Sequence, residues 1–159
     1  INLNTGKIIW KVPFGEYEEL TKKGIPITGT YNYGGVTATA GGLVFATGTL
    51  DNKIRALDAK TGKELWSYRL PFSGSSPPTI YEYNNEQYVV VSATGSISMR
   101  KAFPKISKSG NKIYAFKIKK ISNWNYSIIA FTDPKLSTFP IYNPFPKIGT
   151  TPTVEPVKI

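Results

Sequence analysis

The chain has 159 residues, of which 40% are hydrophobic and 13% aromatic, which is enough apolar material for the core of one domain. It contains neither cysteine nor histidine, which excludes disulfides, thiolate metal sites and imidazole-dependent catalysis within the chain. The formal net charge is +10, but most lysines alternate with strand residues, a pattern typical of a solvated surface.

Short strand patterns dominate the chain. Each is rich in Val, Ile and aromatic residues and is bounded by Gly, Pro, Asn or Asp, which favours antiparallel strands joined in sequence order. No stretch of about eighteen apolar residues predicts a transmembrane helix. The predicted strands, in chain order, are KIIWKV (7–12), GLVFATG (42–48), NKIRALD (52–58), ELWSYRL (64–70), PTIYEY (78–83), EQYVVVSATG (86–95) and NKIYAFKI (111–118).

The chain also repeats itself. NLNTGKIIW (2–10) resembles DAKTGKELW (58–66), 56 residues later, in its Thr-Gly-Lys and its final Trp, and NKIRAL (52–57) recurs as NKIYAF (111–116). About four short strands per repeat of this length predict the blades of a β-propeller, of which about two and a half are visible. The predicted fold class is therefore all-β: an incomplete β-propeller of four-stranded antiparallel blades with tryptophan-docking turns and an irregular Pro-rich C-terminal tail.

The repeated motif ALDAKTGKELW (56–66) can be explained by structure alone. Ala56 is small where neighbouring sheets crowd, Asp58 can cap the turn through its carboxylate, and Gly62 can adopt a positive φ. Trp66 offers a broad apolar surface to the next blade. None of these residues is needed for chemistry.

The repeat weakens near residue 120, where Lys117 stands in place of the motif's aspartate. We predict that residues 1–120 form C-terminal propeller blades and that 121–159 form an irregular tail, which wraps a neighbour or is partly disordered. The tail holds half of the chain's 12 prolines, and proline at this density opposes regular sheet. The chain opens on INLNTGKIIW, without a starting Met or a leader, so we expect it to begin inside a longer protein.

The repeat also sorts the loops, because successive turns of a meander alternate between the two ends of a sheet. Long loops on a rigid scaffold commonly carry binding residues. The pair Gly34-Gly35 would let the backbone approach a flat ligand, and the alternative is a β-turn before the next strand. The turns 58–62 and 84–85 are predicted at one end, and the longer loops at the other: 13–35, 49–51, 71–77 and 96–110.

Residues 34–95 resemble the C-terminal blades of pyrroloquinoline quinone (PQQ)-dependent dehydrogenases, and are most like the membrane-bound glucose dehydrogenase type. The resemblance rests on GGVTATAGGLVF, ALDAKTGKELW, a Leu-Pro followed by a Gly-Ser-Pro loop, and QYVVVSA. It extends from residue 1 to about 120. It implies a periplasmic quinoprotein with an eight-bladed propeller that oxidises a sugar, polyol or alcohol hydroxyl. PQQ and calcium would belong to the full-length protein, and this segment alone would bind neither.

The resemblance carries four residues over to the cofactor site. Gly34 and Gly35 match a Gly-Gly pair near the cofactor, and Tyr33 stands at the position before that pair. Gly95 matches a glycine after the last long strand. The predicted cofactor-binding residues are therefore Tyr33, Gly34, Gly35 and Gly95.

No catalytic or metal-binding residue is predicted in this chain. In the family, the catalytic aspartate, the calcium ligands and the tryptophan beneath the quinone belong to earlier blades. Asp51 in a hairpin loop and Asp58 at the motif's turn are expected to be structural. Arg100 and Lys101 are candidates for contacting carboxylates of the cofactor or of a substrate.

Three functional hypotheses remain. The first is the C-terminal part of a quinoprotein dehydrogenase, inactive alone, whose partners are a small-molecule substrate and the remaining N-terminal blades, with membrane contact only through a missing N-terminal region. The second is a non-enzymatic tryptophan-repeat propeller of the outer-membrane assembly scaffold type, although GGVTATAGGLVF favours the enzyme. The third is a polyanion-binding module on Arg100–Lys120, which has eight basic residues and no acid; we predict no nucleic-acid partner.

Overall fold

The computed structural model describes residues 1–122 and 125–131. The strands form two four-stranded antiparallel sheets, in the orders β1-β2-β3-β4 and β5-β6-β7-β8. A closed propeller needs at least about four such sheets, so the predicted all-β, incomplete propeller is confirmed. Along the chain the elements are α1 (Glu18–Thr21), β1 (Val36–Ala38), β2 (Leu43–Ala46), β3 (Lys53–Asp58), β4 (Glu64–Arg69), β5 (Thr79–Tyr83), β6 (Glu86–Ala93), α2 (Ile97–Ala102), β7 (Lys112–Ser122) and β8 (Asn125–Phe131).

The first sheet, β1 to β4, turns one face toward the second sheet. Side chains alternate between faces along a strand, so Phe45 and Ala56 enter the core, whereas Arg55 and Leu57 point away from it. Ala56 lies between Phe45 and Trp66 in register. Its methyl group is fully buried and leaves room for the two large rings, as the repeated motif predicted.

The core lies between the two sheets and is largely aromatic. Trp66 of β4 meets Phe116 of β7 edge to face, with centroids 5.2 Å apart, and Tyr68 meets the same ring at 5.3 Å. Val89 and Val91 of β6 complete the layer and are fully buried. Edge-to-face aromatic contacts add about 0.5–1.5 kcal/mol to the stabilisation from burial. Trp66 therefore has the inter-blade role that the repeat predicted.

The second sheet, β5 to β8, begins with a tight hairpin. Asn84 and Asn85 connect β5 to β6 and have φ values of 51° and 60°. Asn tolerates positive φ better than most residues, and two successive positive φ values match the twist of a two-residue hairpin. β6 then pairs with β7 from Gln87 opposite Ile118 to Ala93 opposite Lys112.

The strand predicted at 7–12 is wrong, whereas the other six predicted strands are confirmed. No described residue pairs with 7–12 in a sheet. Instead, Trp10 fixes this segment: its Nε1 donates to the Ala59 carbonyl at 2.9 Å, and its ring lies against Gly62. A strand requires partners for its backbone N–H and C=O groups, and here a side chain makes the attachment.

Two strands were not predicted. β1 has only three residues, too few for an alternating pattern to be recognised. β8 pairs with β7 from Ala115 opposite Phe131 to Ser122 opposite Asn125, so the sheet continues past residue 120, where the sequence repeat weakens. Residues 123–124 and 132–159 of the predicted tail lie outside the described residues.

Candidate functional site

The long loops of both sheets meet at one end of the molecule, as the repeat predicted. The Ser73 hydroxyl, between β4 and β5, donates to the Thr49 carbonyl at 3.0 Å, and the Gly95 N–H donates to the Ser73 carbonyl at 2.8 Å. Gly15 lies so near that a Cβ there would be 2.7 Å from Cγ2 of Thr49. We call this end of the molecule, formed by 13–35, 49–51, 71–77 and 96–110, the loop face.

Tyr33 and Gly34 are attached to the hairpin that joins β2 and β3. The Tyr33 N–H donates to the Gly48 carbonyl at 3.0 Å. The Gly34 N–H donates to Oδ1 of Asn32 at 3.0 Å, and Nδ2 of Asn32 donates to the Thr47 carbonyl at 3.2 Å. Both N–H groups are therefore already bonded within the chain and are not free donors for a ligand.

The three predicted site glycines are required by the packing of the chain on itself. A Cβ at Gly34 would lie 2.2 Å from the Thr47 carbonyl oxygen, and one at Gly35 would lie 2.5 Å from a proline side chain. At Gly95, where φ is 71°, a Cβ would lie 2.3 Å from the Lys108 carbonyl oxygen. Close backbone packing thus explains these glycines without a ligand, and their contact with the cofactor stays a prediction.

The ring of Tyr33 is the part of the predicted site that reaches solvent. The residue is 42% exposed, and its ring stacks on that of Tyr31, a residue that is 56% exposed; the two ring centroids are 6.2 Å apart and the planes 12° apart. Phe103, from the loop after β6, approaches Tyr31 at 5.2 Å. Sequence reasoning missed Tyr31 and Phe103. The available signal was Tyr-Asn-Tyr, because residues two apart in an extended segment share one side.

The loop 96–110 is a folded insertion that contains the short helix α2. The Ser96 Oγ accepts a bond from the Met99 N–H at 3.4 Å, and Met99 is fully buried. Phe103 follows at the C-cap, where its N–H donates to the Met99 carbonyl at 2.7 Å. Arg100 donates from Nη1 to the Ser109 Oγ at 2.6 Å. These bonds fix the position from which Phe103 meets Tyr31.

The basic stretch Arg100–Lys120 is divided between two parts of the molecule. Arg100 and Lys101 are exposed on α2 at the loop face. Lys117 lies in the second sheet, where its Nζ pairs with Oε1 of Glu86. This division does not favour one continuous surface for a polyanion.

Asp51 and Arg55 form an ion pair buried beneath the loop face, with side chains 2% and 4% exposed. Arg55 donates from Nη2 to Oδ2 of Asp51 and from Nη1 to Oγ1 of Thr49 at 3.1 Å. Asp51 also accepts the Glu16 N–H at 2.9 Å and the Lys53 N–H at 3.1 Å. Burial raises the pKa of Asp51, but the bonds from Arg55 and Thr49 outweigh it and hold the pKa below its usual value. Asp51 is therefore structural, as predicted.

Asp58 caps its turn at the opposite end of the sheets. Its Oδ1 accepts the N–H groups of Lys60 and Thr61 at 3.0 and 2.7 Å and the Thr61 hydroxyl at 2.8 Å. The bonds from Thr61 lower the pKa of Asp58, which confirms its predicted structural role. Within the part of the chain that the structure describes, no cluster of three or more His, Cys, Asp or Glu could hold a metal ion.

An apolar cleft of about 360 Å³ lies on the side of the first sheet that faces away from the core. Trp10, Val12 and Phe14 form one wall, and Val44 and Ala46 of β2 contribute to the other. The guanidinium of Arg55 lies 5.4 Å from the centroid of the Phe14 ring. The cleft presents no charged side chain among its lining residues, so its surface is suited to packing rather than to chemistry.

The propeller blades and the converging loops agree with a known family. The family model described as "Glucose/ethanol/alcohol dehydrogenase, beta-propeller domain", a PQQ family, matches residues 1–89, which is more than half of the chain. The chain belongs to this family. The match confirms the quinoprotein resemblance, and it includes Tyr33, Gly34 and Gly35 but ends before Gly95.

The chain matches only a small part of the length of each relative. The chain is 43% identical over 94 residues to the glycerol dehydrogenase large subunit of Gluconobacter oxydans, a match of 56% of this chain and 13% of that protein. It is 36% identical over 104 residues to quinoprotein glucose dehydrogenase A of Acinetobacter calcoaceticus, 60% of this chain and 12% of the relative. A solved europium-containing methanol dehydrogenase gives a TM-score of 0.47 at 26% identity, covering 53% of this chain and 19% of its own.

The described part of the chain contains no helix with the length and apolar character needed to cross a membrane.

The structure places the predicted cofactor residues on one face, but they do not form a complete site. They supply one exposed ring, from Tyr33, and backbone that is already bonded within the chain.

Proposed function

We propose that this chain is the C-terminal segment of a PQQ- and calcium-dependent dehydrogenase that oxidises a hydroxyl group of a sugar, polyol or alcohol. The observation that carries the proposal is the family match over residues 1–89. The names of the relatives, glycerol dehydrogenase and glucose dehydrogenase, support a small polyhydroxyl substrate. The second hypothesis, a non-enzymatic scaffold, gains no support from these matches.

In this proposal the loop face forms part of the wall of the cofactor funnel. Tyr33 offers an exposed ring, and Gly34, Gly35 and Gly95 let the loops beneath it pack closely. The chemistry that PQQ supplies when bound is acceptance of a hydride from the substrate's hydroxyl group. The chain's own residues position the wall and exclude water from one side of the funnel.

The catalytic base and the calcium ligands come from the remaining blades. Asp51 and Asp58, the aspartates of the first sheet, are both engaged in structural bonds. We therefore propose that the isolated chain binds neither PQQ nor calcium productively and has no dehydrogenase activity. The proposed partners are the N-terminal blades of the same protein, with any membrane contact made through that region, and the proposed location is the periplasm.

A chimera tests the proposal. The matching 94-residue segment of the Gluconobacter glycerol dehydrogenase large subunit would be replaced by this chain's residues, and dye reduction by glycerol would be measured with and without PQQ and calcium. We expect activity that requires both. A chimera carrying Lys60→Gln, at the opposite end of the sheets, is the matched control and should retain that activity.

Two results would contradict the proposal. A chimera that folds and binds PQQ but does not oxidise glycerol would show that these blades do not belong to such an enzyme. Turnover by the isolated chain, supplied with PQQ, calcium, a dye and a polyol, would show that it is complete in itself.

A further inference from the structure

We propose that Tyr31, Tyr33 and Phe103, together with Arg100 and Lys101, form a binding surface for a ring that carries a carboxylate. We call this surface the aromatic shelf. The inference rests on the proposed function in placing such a ligand, either the cofactor or a substrate, on the loop face. It adds two aromatic residues, Tyr31 and Phe103, that the family resemblance did not assign, and it joins them to the two cations in one surface.

The first argument is the exposed aromatic area. Tyr31 and Tyr33 are 56% and 42% exposed, although their rings stack on each other with planes 12° apart. Aromatic rings that only fill a core are buried, whereas these present much of their surface to water at the end of the molecule where the loops meet. An exposed aromatic surface of this kind is typical of a binding site.

The second argument is that the shelf is built from two distant loops and is rigidly supported. Tyr33 is anchored through its N–H to Gly48, and Phe103 is anchored through its N–H to the buried Met99. Phe103 then contacts Tyr31 with a centroid distance of 5.2 Å and a tilt of 60°. Because the rings are held before any ligand arrives, binding costs little side-chain entropy.

The third argument is charge. The loop 96–110 carries Arg100, Lys101, Lys105 and Lys108 and no acid. Across the described ranges 1–122 and 125–131, ion pairs join other lysines and arginines to acids, such as Lys53 to Glu16 and Arg69 to Glu18, but none involves these four residues. Uncompensated cations beside an aromatic surface attract a ligand that is both flat or ring-shaped and negatively charged.

Arg100 links the charge to the rings. It lies three residues before Phe103, which is the C-cap of α2 and directly follows the last residue of the helix, so both belong to the same loop. Its bond to Ser109 at 2.6 Å uses Nη1 and leaves other N–H groups of the guanidinium for an acceptor. A carboxylate is the acceptor that matches this geometry with two parallel bonds.

Phe103 is a positioning residue in this arrangement, because it acts through Tyr31. Truncation of Phe103 would leave Tyr31 without its tilted neighbour while the anchored backbone stays in place. Leucine at this position would restore much of the contact, which gives a conservative variant for the test.

The experiment uses the full 159-residue chain and isothermal titration at low and moderate salt. The probes are PQQ and quinate, which are ring carboxylates, and inositol, a neutral ring polyol of similar size. Because the isolated chain lacks the complete cofactor site, we expect at least one carboxylate probe to bind only weakly, at this one surface, with an affinity that falls as salt rises. We expect inositol to bind at least about tenfold more weakly. If PQQ binds and quinate does not, the shelf is a surface for the cofactor. If quinate binds, it is a surface for a substrate.

Variants then localise the binding. Tyr31→Ala and the double variant Arg100→Gln, Lys101→Gln should each weaken binding about tenfold, and Phe103→Ala should do the same while Phe103→Leu recovers most of the loss. Tyr81→Ala is the matched aromatic control, because Tyr81 stacks on Tyr88 away from the loop face, with centroids 5.2 Å apart. Lys60→Gln, at the opposite end of the sheets, is the matched charge control.

Three outcomes would overturn the inference: no binding of either carboxylate by the folded chain, equal binding of inositol, or tighter binding of a single-stranded oligonucleotide than of both ring carboxylates. The chimera described above separates this inference from the proposed function. An active chimera whose isolated segment does not bind the probes would refute the shelf alone, whereas probe binding with an inactive chimera would refute the function alone.

Discussion

The indole of Trp10 lies directly over Gly62, so close that a Cβ at Gly62 would be 2.5 Å from the ring atom Cε3. The indole Nε1 also donates to the Ala59 carbonyl at 2.9 Å. One turn of the repeated motif therefore receives the tryptophan of the preceding copy. The close approach is possible only because Gly62 has no side chain, and its φ of 74° favours glycine as well.

Gly62→Ala should therefore destabilise the chain more than a glycine substitution that meets only backbone strain. Gly42→Ala is the matched control, since Gly42 has a φ of 86° and no atom within 4 Å of its added Cβ. We expect a loss of about 1 kcal/mol for the control and about 1–3 kcal/mol more for Gly62→Ala from overpacking against Trp10. Urea unfolding measures both, and equal losses would show that the indole moves aside freely.

The buried pair of Asp51 and Arg55 predicts that removing one partner destabilises the chain more than replacing both. Arg55→Met leaves the Asp51 carboxylate buried without its cation and should cost about 3–5 kcal/mol of unfolding free energy. The double variant Asp51→Leu, Arg55→Met should lose less unfolding free energy than Arg55→Met alone. Lys22→Ala, which removes an exposed pair with Glu18 at 3.6 Å, is the control and should cost less than about 0.5 kcal/mol. A double variant less stable than Arg55→Met would contradict this account.

The lowered pKa of Asp51 predicts a loss of stability in acid. The unfolded chain takes up a proton near the ordinary pKa of 3.8, whereas the folded chain does so only at lower pH. The contribution is therefore complete above the unfolded value and is lost as pH falls below about 3.8 toward the folded pKa. Glu16, whose pKa the bond from Lys53 lowers, acts in the same direction. Asp51→Asn should reduce the slope of unfolding free energy against pH in this range, and an unchanged slope would contradict the assignment.

Gly34→Ala should destabilise the chain even when no cofactor is present. The added Cβ would meet the Thr47 carbonyl oxygen at 2.2 Å, and backbone cannot move aside as a flexible side chain can. We expect a loss of about 1–3 kcal/mol in thermal or urea unfolding of the isolated chain. Unchanged stability, combined with weaker PQQ binding in the chimera, would show instead that Gly34 is needed only for the ligand.

Sequence reasoning succeeded where the structure is local. Asp58 and Gly62 sit in one short turn, and their roles follow from turn chemistry alone. Ala56 and Trp66 were interpretable because the repeat showed that they recur at a fixed spacing. The alternation of short loops and strands also placed the long loops at one end, since each antiparallel strand reverses the chain.

The features that sequence reasoning missed depend mostly on contacts between residues that lie far apart in the sequence. The segment 7–12 has the composition of a strand, but a strand forms only beside a partner, and here Trp10 docks instead. Tyr31 and Phe103 lie in different loops, and only the folded chain brings their rings together. The sequence does not reveal that Arg55 is buried, because its burial depends on the folded hairpin, which brings Asp51 to it, and on the ring of Phe14 from a distant segment.

The Trp10 contact is expected to affect the rate of unfolding more than the rate of folding. Strands of the first sheet pair with their immediate neighbours in sequence, so their hairpins close short loops at small entropic cost. The bond from Trp10 to Ala59 spans 49 residues and forms most readily on a sheet that already exists. A contact that is absent from the transition state slows unfolding and leaves the folding rate almost unchanged. We therefore expect the loss of Trp10 chiefly to shorten the lifetime of the folded chain and to change its folding rate little.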